Sequence, residues 1–181
     1  KYEVTCELWD SVMGDNRSES KGRNKPVGSI TWRQMIAFCN KLSEMEGLQK
    51  AYSRASGSII CDFNSSGYRL PTDAEWEYAA KGGNKSKGYK YSGSNNLEKV
   101  AWYGKNSKNK IHDVGTKQPN ELGIYDMSGN LWECFWDSGS FSTHNGGYYN
   151  SNESYCRPEG RWFYDLSFGS TDIGFRLART K

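Results

Sequence analysis

The chain is short of the aliphatic material from which most cores are built. Only 35% of its 181 residues are hydrophobic, and mean hydropathy is -0.86. No run approaches the ~20 apolar residues of a membrane span, and no secretory leader opens the sequence, so direct membrane insertion of this segment is not expected. Charge of one sign is also lacking. The net charge is +3 with signs interspersed, which argues against a nucleic-acid or membrane-surface partner. The densest basic stretch, 81–90, is lysine set among Gly, Asn and Ser and reads as a solvated loop. Five cysteines (Cys6, Cys39, Cys61, Cys134, Cys156) are odd in number, far apart and without a CxxC pair. That pattern excludes a zinc knuckle, a thioredoxin-like centre and a dense disulfide framework, and leaves buried free thiols. Only two histidines occur, His112 and His144, neither in a metal or nucleophile motif. Both read as surface residues. No glycine-rich loop follows a strand and opens a helix, so a nucleotide site has no support. Nothing in this inventory assembles into a catalytic centre.

Glycine and aromatic residues are what the chain has in quantity. Twenty glycines against four prolines predict many tight turns, while aromatics at 14% supply large buried areas per residue. The length is that of one compact domain, 1–181. In "TWRQMIAFCNKLSEMEG" Thr31 and Gln34 form a capping box, Trp32, Met35, Ile36, Cys39, Leu42 and Met45 recur at helical spacing, and Gly47 stops the run. "PTDAEWEYAAKGG" is a second helix, capped by Thr72 and Glu75 and ended by Gly82-Gly83. A shorter helix follows Thr5 through Met13. Strands are expected at Lys1–Thr5, Val100–Tyr103 and Gly174–Arg179. Beyond Gly83 the chain is mostly turns, stable only if aromatics and polar networks pin them.

Three of these stretches, "GYRLPTDAEWEYAAKGG" (67–83), "NELGIYDMSGNLWE" (120–133) and "GFRLAR" (174–179), resemble the formylglycine-generating-enzyme type of C-type-lectin-like domain. "KYEVT" and "PVGSITWRQMIAFCNKLSE" fit the same family, so the resemblance covers nearly the whole chain. It implies an α+β fold with two main helices, short antiparallel strands, long ordered loops and neighbouring termini. It also implies further strand before Lys1. The family's best-known activity is copper-dependent oxidation of a substrate cysteine by two cysteines, whose places fall here at Ser151 and Cys156. A serine hydroxyl does not replace a thiolate for Cu(I), so the reading is of a protein that is not an enzyme and requires no cofactor. In the family the "YDMSGNLWE" turn can hold a structural calcium ion. Carried over, its ligands are Asp126, Glu133 and the carbonyls of Gly129 and Leu131, oxygen donors that suit Ca²⁺. The residues also allow another reading, in which Asp126 and Glu133 simply cap backbone donors.

One stretch is left unexplained by that scaffold. "GGYYNSNESYC" and "RWFYDLSFGSTD" (146–156 and 161–172) place seven aromatics among small polar residues with no helical or strand period. The segment 146–176 resembles the variable region of the family's retroelement-diversified branch, with Cys156-Arg157 and Ile173-Gly174-Phe175-Arg176 in the fixed places. In that branch adenine-directed mutagenesis rewrites Asn codons. Variable ligand-binding positions would then be Asn150, Ser151, Asn152, Ser154, Tyr155, Gly160, Phe163, Tyr164, Asp165, Ser167, Phe168, Ser170, Thr171 and Asp172, all reachable from Asn codons by changing adenines alone. Trp162 is not reachable that way but joins the same surface. Tyr148 and Tyr149 depart from the branch's usual Ser-Trp. Composition points the same way, since Tyr, Ser, Gly and Asn are the mixture of antibody paratopes. The alternative is that these rings are core, although three consecutive rings at 162–164 cannot all face one interior in a strand. Leu166, Cys156 and Ile173 are expected to be buried. The implied ligand is a protein or glycan on another cell or host surface, met by an exported, lipid-anchored monomer. An oxidase of the family type and an invariant carbohydrate- or protein-binding module are the alternatives.

Overall fold

The computed structural model describes residues 1–14, 22–136, 142–164 and 169–180, with only the backbone of 142, 143, 162 and 164. The three helices read from the sequence form where their caps place them. α1 (Cys6–Met13) starts at Thr5, whose side chain accepts from Leu8 N–H, and ends at Gly14 with φ of 77°. α2 (Trp32–Met45) and α3 (Asp73–Ala80) both carry complete capping boxes, from Thr31/Gln34 and Thr72/Glu75. A single helical turn, α4 (Leu97–Val100), follows in the long loop region.

The strands depart further from expectation. β1 (Tyr52–Ala55) and β2 (Ser58–Cys61) form an antiparallel hairpin. Its turn, Ser56-Gly57, has φ of 51° and 84°, the doubly left-handed geometry that matches strand twist. β3 (Tyr68–Arg69) pairs β8 (Ala178–Arg179). The main sheet runs β6-β5-β4-β7, from β4 (Trp132–Cys134), β5 (Ser142–Asn145), β6 (Arg161–Tyr164) and β7 (Ile173–Phe175). β4 and β7 are parallel, with Trp132 opposite Ile173. The expected strand at 100–103 is absent because Ala101 N–H closes α4 by bonding Leu97 O at 2.9 Å. The expected strand at 1–5 is an extended segment without a ladder. Val4 N–H bonds Phe175 O at 2.9 Å, and Thr5 makes an isolated bridge to Pro26. Residues 174–179 are split between β7 and β8.

Aromatic rings do fill the centre. Trp9 stacks on Phe38 with centroids 5.3 Å apart, and Phe175 meets both edge-on, so α1, α2 and β7 share one contact. All five cysteines are free thiols, four of them buried. Polar side chains pin the loops, as Asn120 Nδ2 does by donating to Ala79 O at 2.7 Å and Ser92 Oγ at 3.1 Å. The strongest tie is ionic. Glu133, fully buried, is gripped by the Arg176 guanidinium and by Trp76 Nε1–H at 2.8 Å, joining β4, α3 and the chain after β7. Arg176 Nη2 also donates to Tyr125 O at 2.9 Å.

Candidate ligand-binding cleft

The cleft is built on a close backbone approach. Gly129 has φ of 77°, and a Cβ there would lie 2.2 Å from Trp102 O, so only glycine lets these loops meet. Its N–H bonds Gly146 O at 2.7 Å, and Tyr149 N–H bonds Asn130 O at 2.8 Å. The turn 126–131 thereby delivers Trp132 to β4 and seats the start of the 146–176 segment beside it. A tight turn follows, with Ser151 N–H donating to Tyr148 O and Tyr148 N–H donating to Ser151 Oγ, both at 2.9 Å.

Between these elements lies a half-open cleft of about 420 Å³. Trp132, Tyr148 and Ile173, none of them among the expected variable positions, form part of its lining. Asn150, Ser151, Asn152, Tyr155, Ser170 and Asp172 line the rest. Trp132 lies near-parallel to Tyr148 (24°, centroids 6.4 Å) and meets Tyr155 edge-on at 5.8 Å. Asp172 Oδ1 accepts from Tyr149 OH at 2.9 Å and from Thr171 Oγ1 at 3.1 Å.

Six of the positions that resembled variable sites thus converge on one cavity, with Thr171 at its edge. Ser154 is exposed but outside the lining. Phe163 is 68% exposed on β6 and shares its outward side with the exposed Arg161. Trp162 and Tyr164 contribute backbone to β6, while Asp165, Ser167, Phe168 and Leu166 lie outside the described residues. Cys156 and Ile173 are buried, as expected. Gly160 stands apart. A Cβ there would fall 2.4 Å from Tyr155 O. Gly160→Ala is therefore expected to destabilise by ~1–3 kcal/mol through overpacking, checked by chemical denaturation. Sequence reasoning missed Trp132 and Ile173 as cleft residues, because nothing local in "NLWE" or "DIGF" says that β4 and β7 pair beneath a loop 15 or more residues away.

The family described as FGE-sulfatase, sulfatase-modifying factor enzyme 1-like domain, matches residues 1–181. The chain belongs to this family. Among solved structures, Treponema denticola variable protein 1 superposes with a TM-score of 0.91 at 34% identity, over 98% of this chain and 84% of that one. The chaperone protein LppX of Paenibacillus barcinonensis is 41% identical over 169 residues, 76% of this chain and 60% of its own length. Inactive C-alpha-formylglycine-generating enzyme 2 of Mus musculus is 36% identical over 128 residues, 65% of this chain and 40% of its own length. The chain thus spans 60% or less of the length of these two curated relatives.

Within this sulfatase-modifying-factor fold, several expected residues take other roles. Ser151 sits at the first copper-cysteine place, buried, with its hydroxyl accepting from Tyr148 N–H. At the second, burial and then Glu153 push the Cys156 thiol up to about 12, and its Sγ donates to Asn152 O, the setting of a packed neutral thiol. In the expected calcium set, Asp126 Oδ1 is buried without a hydrogen-bond partner, but the other carboxylate oxygens are engaged. Both Glu133 oxygens are taken by Arg176 and Trp76, and Asp126 Oδ2 accepts from Gly115 N–H at 2.7 Å. Among the described residues no three His, Cys, Asp or Glu side chains gather to hold a metal ion. The alternative in which both carboxylates cap donors of their own turn describes neither, since Asp126 accepts from Gly115 N–H, outside that turn, and the partners of Glu133 are side chains far along the chain. Of the two histidines expected at the surface, one is interior and the other half-buried. His144 is fully buried in β5, and His112 stacks on Trp102 at 3.7 Å with Nε2 2.8 Å from Ser107 O.

Asp126 carries a testable electrostatic cost. Burial pushes its carboxyl from 3.8 up to about 6, with Gly115 N–H and Arg176 opposing. A folded-state value above the unfolded one means the carboxyl's contribution is fully present below about 4 and is lost as pH rises to about 6. Asp126→Asn is expected to stabilise the fold by ~2 kcal/mol at pH 7.5 and to change it little at pH 4. Asn suits the φ of 57° found there. Thermal melts at the two pH values check this.

Proposed function

We propose that this chain is a ligand-binding module without catalytic activity, whose segment 146–176 is a binding surface diversified by a retroelement. The convergence of six expected variable positions on one aromatic-floored cleft carries this reading. The similarity to a protein named for its variability supports it, as does a relative named inactive. Ser151, where the resemblance places the first copper-binding cysteine, supports the absence of oxidase chemistry. The division of labour is physical: Gly129, Trp132 and the Glu133–Arg176 pair hold the fold, so rim side chains can change without unfolding it. The partner is a protein or glycan on another cell or host surface. The module meets it as a monomer from an exported, lipid-anchored position.

Deep sequencing of the gene from one cultured population tests the reading. Substitutions concentrated between Asn150 and Asp172, at adenines of Asn-like codons and sparing Gly160, are the expected result. A region as constant as "GYRLPTDAEWEY" would leave an invariant binding module, and oxygen consumption with a cysteine peptide would restore the oxidase reading.

A further inference from the structure

The chemistry of the cleft narrows what it can hold. Among the described residues Asp172 is the one formal charge in the lining, and none of them that line the cavity is a lysine, arginine or histidine. Its carboxylate is held from behind, since Tyr149 OH and Thr171 Oγ1 both donate to Oδ1. Burial, followed by Asp172 itself, pushes the Tyr149 hydroxyl up to about 12, so it remains a donor throughout the physiological range. No described residue reaches Oδ2. Across the same space lie the rings of Trp132, Tyr148 and Tyr155.

An anion would meet that carboxylate with no compensating charge. A purely apolar group would strip water from it and return nothing. A cation is attracted by both walls, through the negative faces of the rings and through a charge-assisted bond to the carboxylate. We propose that the cleft takes a basic side chain, lysine or arginine, presented by a protein partner. This rests on the cleft being the ligand site. Two of the three rings, Trp132 and Tyr148, come from outside the expected variable positions, whereas Asp172 is one of them. Those two rings are then shared between versions of the protein while Tyr155 is not, and position 172 sets whether a cation is preferred. Exchange of Asp172 for Asn, Ser or Tyr would retune the cleft toward neutral groups without rebuilding it.

The experiment is a titration of ¹⁵N-labelled protein with N-acetyl-arginine amide and N-acetyl-lysine amide. Citrulline and norleucine amides serve as neutral counterparts, and a panel of methyl glycosides tests sugars. The Trp132 indole N–H is the reporter. Both cations are expected to shift it and to bind ~10-fold or more tightly than their neutral counterparts. Asp172→Asn should bring that ratio to ~1 with the thermal midpoint unchanged. Arginine and lysine amides are compared directly, so the stronger of the two names the side chain. Equal binding of neutral and cationic probes to the wild type, or stronger perturbation by a glycoside, overturns the cation inference and leaves the cleft as the site. If no probe moves the Trp132 indole, the premise that this cleft is the ligand site fails as well.

Discussion

Arg176→Met is expected to lower the thermal midpoint by about 10 °C, the result of losing ~3–5 kcal/mol when one partner of a buried ion pair is removed. Glu133 has no exposed surface and Arg176 very little, so the carboxylate left behind has no access to water. Trp76 Nε1–H would be its remaining partner, one donor where the guanidinium had supplied a fork. The geometry makes the pair a clamp as well as a charge contact. It joins β4, the middle of α3 and the chain leaving β7, which are distant in sequence. The double variant Glu133→Gln with Arg176→Met should recover part of the loss, because no charge is then stranded. Arg176→Lys should fall between, keeping the charge while losing the bidentate grip and the bond to Tyr125 O. A single Arg176→Met protein that melts within about 2 °C of wild type would mean that water reaches Glu133, and the clamp would be a surface contact in disguise.

This pair also marks where the sequence stopped being readable. The helices were legible because their signals are local, with a capping box occupying four residues and a hydrophobic face recurring within one turn. The turn "YDMSGNLWE" was legible as a turn for the same reason. The task of Glu133 was not, because its partners lie 57 residues before it and 43 after it. A carboxylate next to a glycine-rich turn looks like a ligand or a cap until the fold delivers an arginine. His144 illustrates the same limit, since its burial follows from the place of β5 between β4 and β6 rather than from its neighbours in sequence. The strand at 100–103 failed for a related reason. A short apolar run, "VAWY", is compatible with either element, and the cap that closes α4 decided it.

The candidate site was half legible. Its rim could be named from the pattern of residues between 150 and 172, because the resemblance there rests on spacing and residue type. Its floor could not, because Trp132 and Ile173 face each other only when β4 and β7 pair in parallel, a long-range contact with no local signature. Gly160 shows the reverse case. Residue type placed it among the variable positions, and the backbone of Tyr155 leaves no room for a side chain.

Tyr155→Ala and Phe163→Ala are each expected to weaken partner binding by ~2 kcal/mol or more, about 30-fold, as aromatic anchors at the centre of an interface do. The two substitutions differ in what else they should do. Phe163 is 68% exposed, so its removal should leave folding stability within ~0.5 kcal/mol of wild type. Tyr155 packs edge-on against Trp132 and forms part of the cleft wall, so its loss should cost ~1 kcal/mol of stability as well. Titration of wild-type and variant protein onto the same target cells, with a denaturation curve for each, separates the two effects. A binding loss confined to Tyr155→Ala would restrict the surface to the cleft and leave β6 as scaffold. A loss confined to Phe163→Ala would move the interface to the outer side of β6, so that the cleft beside Trp132 is not where the partner docks. Loss in both is the pattern of one continuous surface running from the cleft across the edge strand. Under the proposed function, that surface is where side chains would vary, since none of Tyr155, Phe163 or Asp172 takes part in the Glu133–Arg176 clamp.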